Sequence, residues 1–297
     1  MKRWSSIFAV LLAAAGMLSA QQQQPAAVDS AATALDHMVE VYRKENIPFK
    51  KPIPLAHVRE ADVPYERTVW RMVELTEKNN LPLYYPTAPI GSRLNFISVL
   101  LKGIELGEIT PYDPNDDHNE FVRPITKEEI DRTLGARRDS IEVEDEFGNV
   151  FWQPRVSEIQ VDQIKRLMIK EKIFFDKRHS VLNMQVIGIC PIRVYSRDGG
   201  DGSDGSPMEQ VKVMWIYMPE ARDILARHPI FNRFNDAQNI SFDDFFIQNR
   251  YAGNIFKISN VYNNRTIDEY AQGLDALYEA MRIEMEIFDW EQDLWEY

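Results

Sequence analysis

The 297-residue chain carries 34 Lys and Arg against 46 Asp and Glu, a formal charge of -12 at pH 7. That acidity excludes nucleic acid and anionic membrane surfaces as charge-driven partners, and the length suffices for one large domain or two small ones. The single cysteine, Cys190, leaves no internal disulfide, zinc finger or dithiol redox site.

Residues 1–20 have the layout of a secretory signal peptide: Lys2 and Arg3, an apolar run from Ile7 to Leu18, and Leu18-Ser19-Ala20 as a cleavage site. The run is too short to span a bilayer, and no later stretch is apolar enough for a membrane helix. A buried N-terminal helix is the competing reading. It fails because no amphipathic pattern continues into the glutamine run that follows. No cysteine stands near the cleavage point, so the chain carries no lipoprotein signal of its own. Residues 21–61 form a Gln/Ala/Pro-rich arm with a short helix around Leu35 to Arg43. Pro48, Pro52 and Pro54 favour extended backbone, so the arm is expected to be disordered or laid along a partner.

From Asp62 to the last residue, 297, the composition is globular. DVPYERTVWRMVELTEK predicts a helix, with Asp62 as cap, Pro64 in the first turn and Val69, Met72, Val73 and Thr76 on one face. The Pro-punctuated NNLPLYYPTAPIGS is a loop carrying Tyr84 and Tyr85. Ser92 caps a second helix whose Leu94, Ile97, Leu101 and Ile104 share a face, with Gly107 just past its end. Thr126 and Glu129 make a capping box for a third. Phe147-Gly148-Asn149-Val150 is a turn between short strands.

Residues 181–195, VLNMQVIGICPIRVY, are the clearest strand. Leu182, Met184, Val186, Cys190, Ile192 and Val194 occupy even positions, which predicts a core face and a buried Cys190. Pro191 argues for an edge or a bulge. A partner strand follows at 211–217, with Val211, Val213, Trp215 and Tyr217 on one side. Pro219 opens a helix, SFDDFFIQNR makes another, and YAGNIFKISNVY is an aromatic-rich strand or loop. A long amphipathic helix, 266–289, begins at the Thr266/Glu269 capping box. Its apolar stripe is Ile267, Tyr270, Leu274, Leu277, Met281, Met285 and Phe288. An aromatic tail, 290–297, closes the chain. Strands and helices mix without strict alternation and without internal repeats. The expected fold class is α+β, a mainly antiparallel sheet with packed helices.

Motifs of chemistry are absent. There is no GxSxG elbow, no GxxxxGK[ST] loop and no HExxH among the five histidines. Asp113, Asp116, Asp117, His118 and Glu120 crowd one segment, in the manner of a solvated loop. The connection YSRDGGDGSDGSP between the two strands matches six places of the calcium nonapeptide, with Asp198, Asp201 and Asp204 as ligands. The match breaks at Ser206, and a lone copy lacks the neighbouring turns that share ligands. Glycine and aspartate also suit a plain hairpin tip. No cofactor, metal or catalytic residue is therefore assigned.

Four stretches together resemble the GldN/PorN family. They are VWRMVELTEKNNLPLYYP at 69–86, FFDKRHSVLNMQVIGICPIRVY at 174–195, VMWIYMPEARDIL at 213–225 and EQDLWEY at 291–297, in the family's order. The resemblance runs from about residue 62 to the end and leaves out the arm and the Asp-Gly loop. It implies a non-enzymatic structural subunit of the Bacteroidetes type IX secretion and gliding-motility machinery. Such a subunit lies in the periplasm, associated with the outer membrane through a GldK/PorK-like lipoprotein. It self-associates with that partner into a ring and meets a GldM/PorM-like motor component. The family offers no catalytic residues to carry over. The residues alone leave two alternatives open, a periplasmic enzyme with an unplaced carboxylate site and a calcium-dependent secreted binding module. Tyr84, Tyr85, Trp215, Tyr217, Trp290, Trp295 and Tyr297 are the candidate protein-interface residues, because buried aromatics concentrate binding energy. Ordinary core is the competing role, most of all for Trp215 and Tyr217.

Overall fold

The computed structural model describes residues 49–293 except 92, 117–119, 137, 145–149, 157–158, 197–207, 233–234 and 236, with 138–144 and 150–156 described by their backbone. All belong to the unit Lys44–Tyr297. The signal peptide, most of the arm, Ser92, Asp117, His118, the turn at 147–149, the Asp-Gly loop, Trp295 and Tyr297 lie outside these residues.

The described strands are β1 (Glu66–Glu74), β2 (Pro111–Tyr112), β3 (Arg138–Glu144), β4 (Val150–Val156), β5 (Ile164–Asp176), β6 (Val181–Ser196), β7 (Met208–Lys212), β8 (Trp215–Tyr217) and β9 (Asn254–Ile258). Seven form one antiparallel sheet in the order β2-β8-β6-β5-β1-β9, with β7 on β6; β3 and β4 form a separate hairpin. The helices are α1 (Leu81–Tyr84), α2 (Phe96–Glu105), α3 (Lys127–Thr133), α4 (Met218–Arg227), α5 (Phe242–Ile247) and α6 (Leu274–Asp293). The chain is thus α+β, as its sequence predicts.

Residues 66–74 are a strand, not the helix that spacing suggested. Val69 and Val73 face one side and Trp70 and Met72 the other, and both sides are covered. β1 pairs with β5 along its whole length and with β9 on its other edge. Apolar residues at Val69, Met72 and Val73 mimic helical spacing because a strand buried on both faces loses its alternation. The β-branched Thr68, Val69 and Val73 suit the pleat.

β6 is where expected, but its even residues do not share a face. Glu171 of β5 opposes Val186 while the next residue, Lys170, opposes Gly188, so Ile187 is one residue too many. A bulge of this kind reverses the side on which later residues fall. Leu182, Met184 and Val186 pack with the helices; Cys190, Ile192 and Val194 pack on the opposite face with Trp70, Met168 and Trp215. Cys190 is fully buried. Gly188 is required beside the bulge: a Cβ there would strike the Phe121 ring and come within 3.2 Å of the Ile216 carbonyl. Pro191 stands where the neighbour of β6 changes from β8 to β7, and its carbonyl accepts from Val213. The missing N–H therefore breaks no ladder.

The expected strand 211–217 is two strands, interrupted at Val213 and Met214. Val213 and Trp215 consequently enter different clusters, on opposite faces of the sheet. The helix predicted from Ser92 begins later, with Asn95 Oδ1 accepting from the Ser98 N–H at 2.7 Å. The loop at 79–92 contains the short α1. Capping boxes open α3 at Thr126/Glu129 and α5 at Ser241/Asp244. Residues 49–59 run along the domain: Lys50 pairs with Asp244, Arg222 donates to the Ile53 carbonyl and Arg178 to the His57 carbonyl.

Helices α2, α4 and α5 cover one half of a sheet face, with Phe96 against Phe242 and Phe246 at centroid distances of 5.7 and 5.1 Å. Asn80, fully buried, ties the end of β1 to the approach of β9. It donates to the Glu74 and Ala252 carbonyls and accepts from the Ala252 N–H, all at 2.8–2.9 Å. Asn80→Ala orphans those groups and is expected to cost about 2–4 kcal/mol, read as a lower midpoint in chemical denaturation.

His228, at the end of α4, donates Nδ1–H to the Ile224 carbonyl at 2.9 Å on assignment of that tautomer. Burial holds its pKa below 6.5 against the hydrogen bond to Ile224; Lys102 and Arg227 add to the fall and Glu108 opposes it. The unfolded chain thus takes up the proton first, and stability declines as pH drops from 6.5 toward the depressed folded value. His228→Gln is expected to flatten that part of the stability–pH curve. The further decline below 3.8 should remain, where Asp176 and Asp244 sit below their ordinary value and lose their partners on protonation.

Candidate interaction surface

The other half of the helical face is covered by α6. The Thr266/Glu269 capping box forms as predicted, but it closes only the 3-10 turn Ile267–Glu269. The chain then passes Gly273, with φ at +62°, before α6 starts at Leu274. The predicted helix from Thr266 is therefore broken, and of the predicted stripe Ile267 is buried while the part from Leu274 onward does not face the sheet.

The face that packs is Ala276, Ala280, Ile283 and Ile287, set against Val69, Ile173, Ile255 and Ile267. Three residues further along, Trp290 stacks on Tyr65 at 3.8 Å and meets Phe175 edge-on at 5.9 Å. At its middle α6 is held by Arg71 of β1, whose Nη1 donates to Glu284 and to the Gly253 carbonyl, each at 2.7 Å. The same guanidinium pairs with Glu171 of β5, which is fully buried and accepts from the Tyr251 hydroxyl at 2.9 Å. Burial pushes the Glu171 carboxyl above the ordinary carboxylate range, against the pull of Arg71 and Tyr251. It works against the Arg71 cation too, but Glu171 and Glu284 outweigh it and hold the guanidinium more firmly charged.

Leu274, Leu277, Tyr278, Met281, Met285 and Phe288 fall on the opposite side of α6. They are 43–69% exposed. Helix α6 is thus apolar along two opposed stripes with acids between them, an arrangement in which a sheet can cover only one stripe. Spacing alone marks both stripes as core-like; Ala280, Ile283 and Ile287 at steps of 3 and 4 are the signal for the second.

The described aromatic candidates do not gather into one site. Trp215 is core at 2% exposure, which corrects its assignment to an interface. Tyr84 leans on the α2 cluster and donates to the Asp162 carbonyl at 2.9 Å, while Tyr85 beside it is 52% exposed. Tyr217 stands at the end of β8 next to Phe121, at 5.4 Å. Trp290, on α6 itself, is half-buried against Tyr65 and Phe175.

Three of the buried or half-buried acids among the described residues hold structural contacts. Glu171 lies under α6. Glu120, 5% exposed, accepts from Trp70 Nε1 at 3.0 Å and pairs with Lys170 at 2.9 Å; with Trp70, Trp215, Lys257, Arg265 and Glu269 it lines a cavity of about 410 Å³. Asp113 holds Asn115 and Arg123.

The two stripes of α6 make opposite predictions. Ile283→Ala, on the packed stripe, should cost about 2–4 kcal/mol. Met285→Ser, on the outward stripe, should change stability by no more than about 0.5 kcal/mol. Denaturant titration of both variants checks the contrast.

Among known families, the model described as "Gliding motility associated protein GldN" matches residues 58–296, from before β1 to beyond α6. No curated protein matches the chain. The family is associated with gliding motility and type IX secretion. Among the described residues no helix is long and apolar enough to cross a membrane. With about four-fifths of its length matched, the chain belongs to the GldN family.

Proposed function

We propose that the chain is a non-enzymatic structural subunit of the type IX secretion machinery. In this reading it lies in the periplasm, is held to the outer membrane by a GldK/PorK-like lipoprotein, and assembles with that partner into a ring that meets a GldM/PorM-like motor component. The observation that carries the proposal beyond family membership is the outward stripe of α6. Six large apolar side chains in one line are more than an isolated domain leaves in water without a purpose. The engagement of Glu171, Glu120 and Asp113 in structural contacts supports a scaffold over a hydrolase. The export signal read in residues 1–20 fits a periplasmic location.

The test is purification from native cell envelopes with identification of co-purifying chains by mass spectrometry. Co-purification in a large complex with a lipoprotein is the expected result. Migration as a free monomer overturns the proposal.

A further inference from the structure

The outward stripe of α6 has a regular spacing. Leu274, Tyr278, Met281, Met285 and Phe288 follow one another at steps of 4, 3, 4 and 3, and are 69, 64, 54, 61 and 55% exposed. That is the heptad seam with which one helix packs against another, knobs into holes. Ala276, Ala280, Ile283 and Ile287, which pack on the sheet, fall outside the seam positions. The helix can thus keep its place on the domain while its seam is occupied.

Charge narrows the occupant. The positions flanking the seam hold Asp275, Asp289 and Glu291, with Glu284 already paired to Arg71, against the single cation Arg282. Arg282 is already committed along its own helix, to Glu279 at 2.6 Å and Glu286 at 3.6 Å. Over the whole of α6 there are seven acids and this one base. Flanking charges decide which helices pair. A second copy of α6 would bring the same acids against these, which selects against self-pairing. A helix with Lys or Arg beside its own apolar seam would be drawn in. Met281 and Met285 give the seam side chains that adapt to the shape of a partner.

We propose that the outward face of α6 is one half of a two-helix seam. Its other half is a basic amphipathic helix of a different protein, with apolar residues at the same heptad spacing. The proposal rests on the reading of the chain as an assembling subunit and gives one contact of that assembly its chemistry.

Two measurements on the full chain test it. In the first, a labelled 21-residue helical peptide with Leu at the seam and Lys on its flanks is titrated by fluorescence anisotropy, beside a peptide with Glu on the flanks. The Lys peptide should bind at least tenfold more tightly than the Glu peptide and weaken as salt rises. The double variant Met281→Glu/Met285→Glu, shown by its melting temperature to be folded, should lose at least tenfold of that binding. Equal binding of the two peptides, no binding of either, or full binding by the folded variant overturns the proposal. In the second, a photo-crosslinking residue replaces Met285 in cells that make the protein, and the attached peptide is sequenced. Attachment to a basic, heptad-patterned segment of another chain is expected; attachment to α6 of a second copy overturns the proposal in favour of self-association. Should the seam fail both measurements while the chain still co-purifies with its complex, the subunit reading stands without it. Should the chain prove a free monomer, that reading falls, and the peptide titration still judges the seam.

Discussion

The buried pair of Arg71 and Glu171 is the constraint around which the helical side of the sheet is arranged. Val69 and Ile173 on one side of the pair belong to the cluster under α6, and Val73 and Ile169 on the other to the cluster under α2, α4 and α5. A charged pair at this place divides one apolar face into two floors. Neither floor can close over it without supplying polar partners. Tyr251, the Gly253 carbonyl and Glu284 supply them. Glu284 is the contribution of α6, so the satisfaction of the pair also fixes where that helix lies. A pair of this kind adds little net stability, because desolvation offsets attraction, but losing one member would leave the other charged and buried.

That arrangement explains why α6 turns one stripe inward and not the other. The inner stripe is narrow, built from alanines and isoleucines that let the helix lie close to the sheet. The bulky Tyr278, Met281, Met285 and Phe288 would hold the helix too far away for Glu284 to reach Arg71. The larger side chains therefore face outward, between rows of acids. The opposite face of the sheet needs no such helix. There Lys170 lies over Trp70 and Phe121, Lys257 over Trp70, and Glu120 neutralises Lys170, so long side chains and loop residues cover the layer.

Much of the local structure was legible in the residues. Thr126 and Glu129, Ser241 and Asp244, and Pro219 start helices where they stand, since capping and proline placement act over three or four residues. The even-odd alternation of 181–195 marked β6, and four separated stretches carried the family. Three other readings failed for non-local reasons. Residues 66–74 look helical because both of their faces are buried. The parity of β6 is broken by Ile187, an extra residue visible only against β5. The stripe of α6 looks like core because spacing measures which side chains share a side, not which side meets the protein.

The sequence by itself determined the class of the fold, the helix starts near Thr126, Pro219 and Ser241, the burial of Cys190 and membership of the GldN family, all properties of short segments or of their order. Only the tertiary structure decided which stripe of α6 is inside. Both stripes are apolar and helically spaced, so nothing local distinguishes them. The choice is made by the fit of small side chains against Val69, Ile173 and Ile255 and by the reach of Arg71 to Glu284, contacts between residues far apart in the chain.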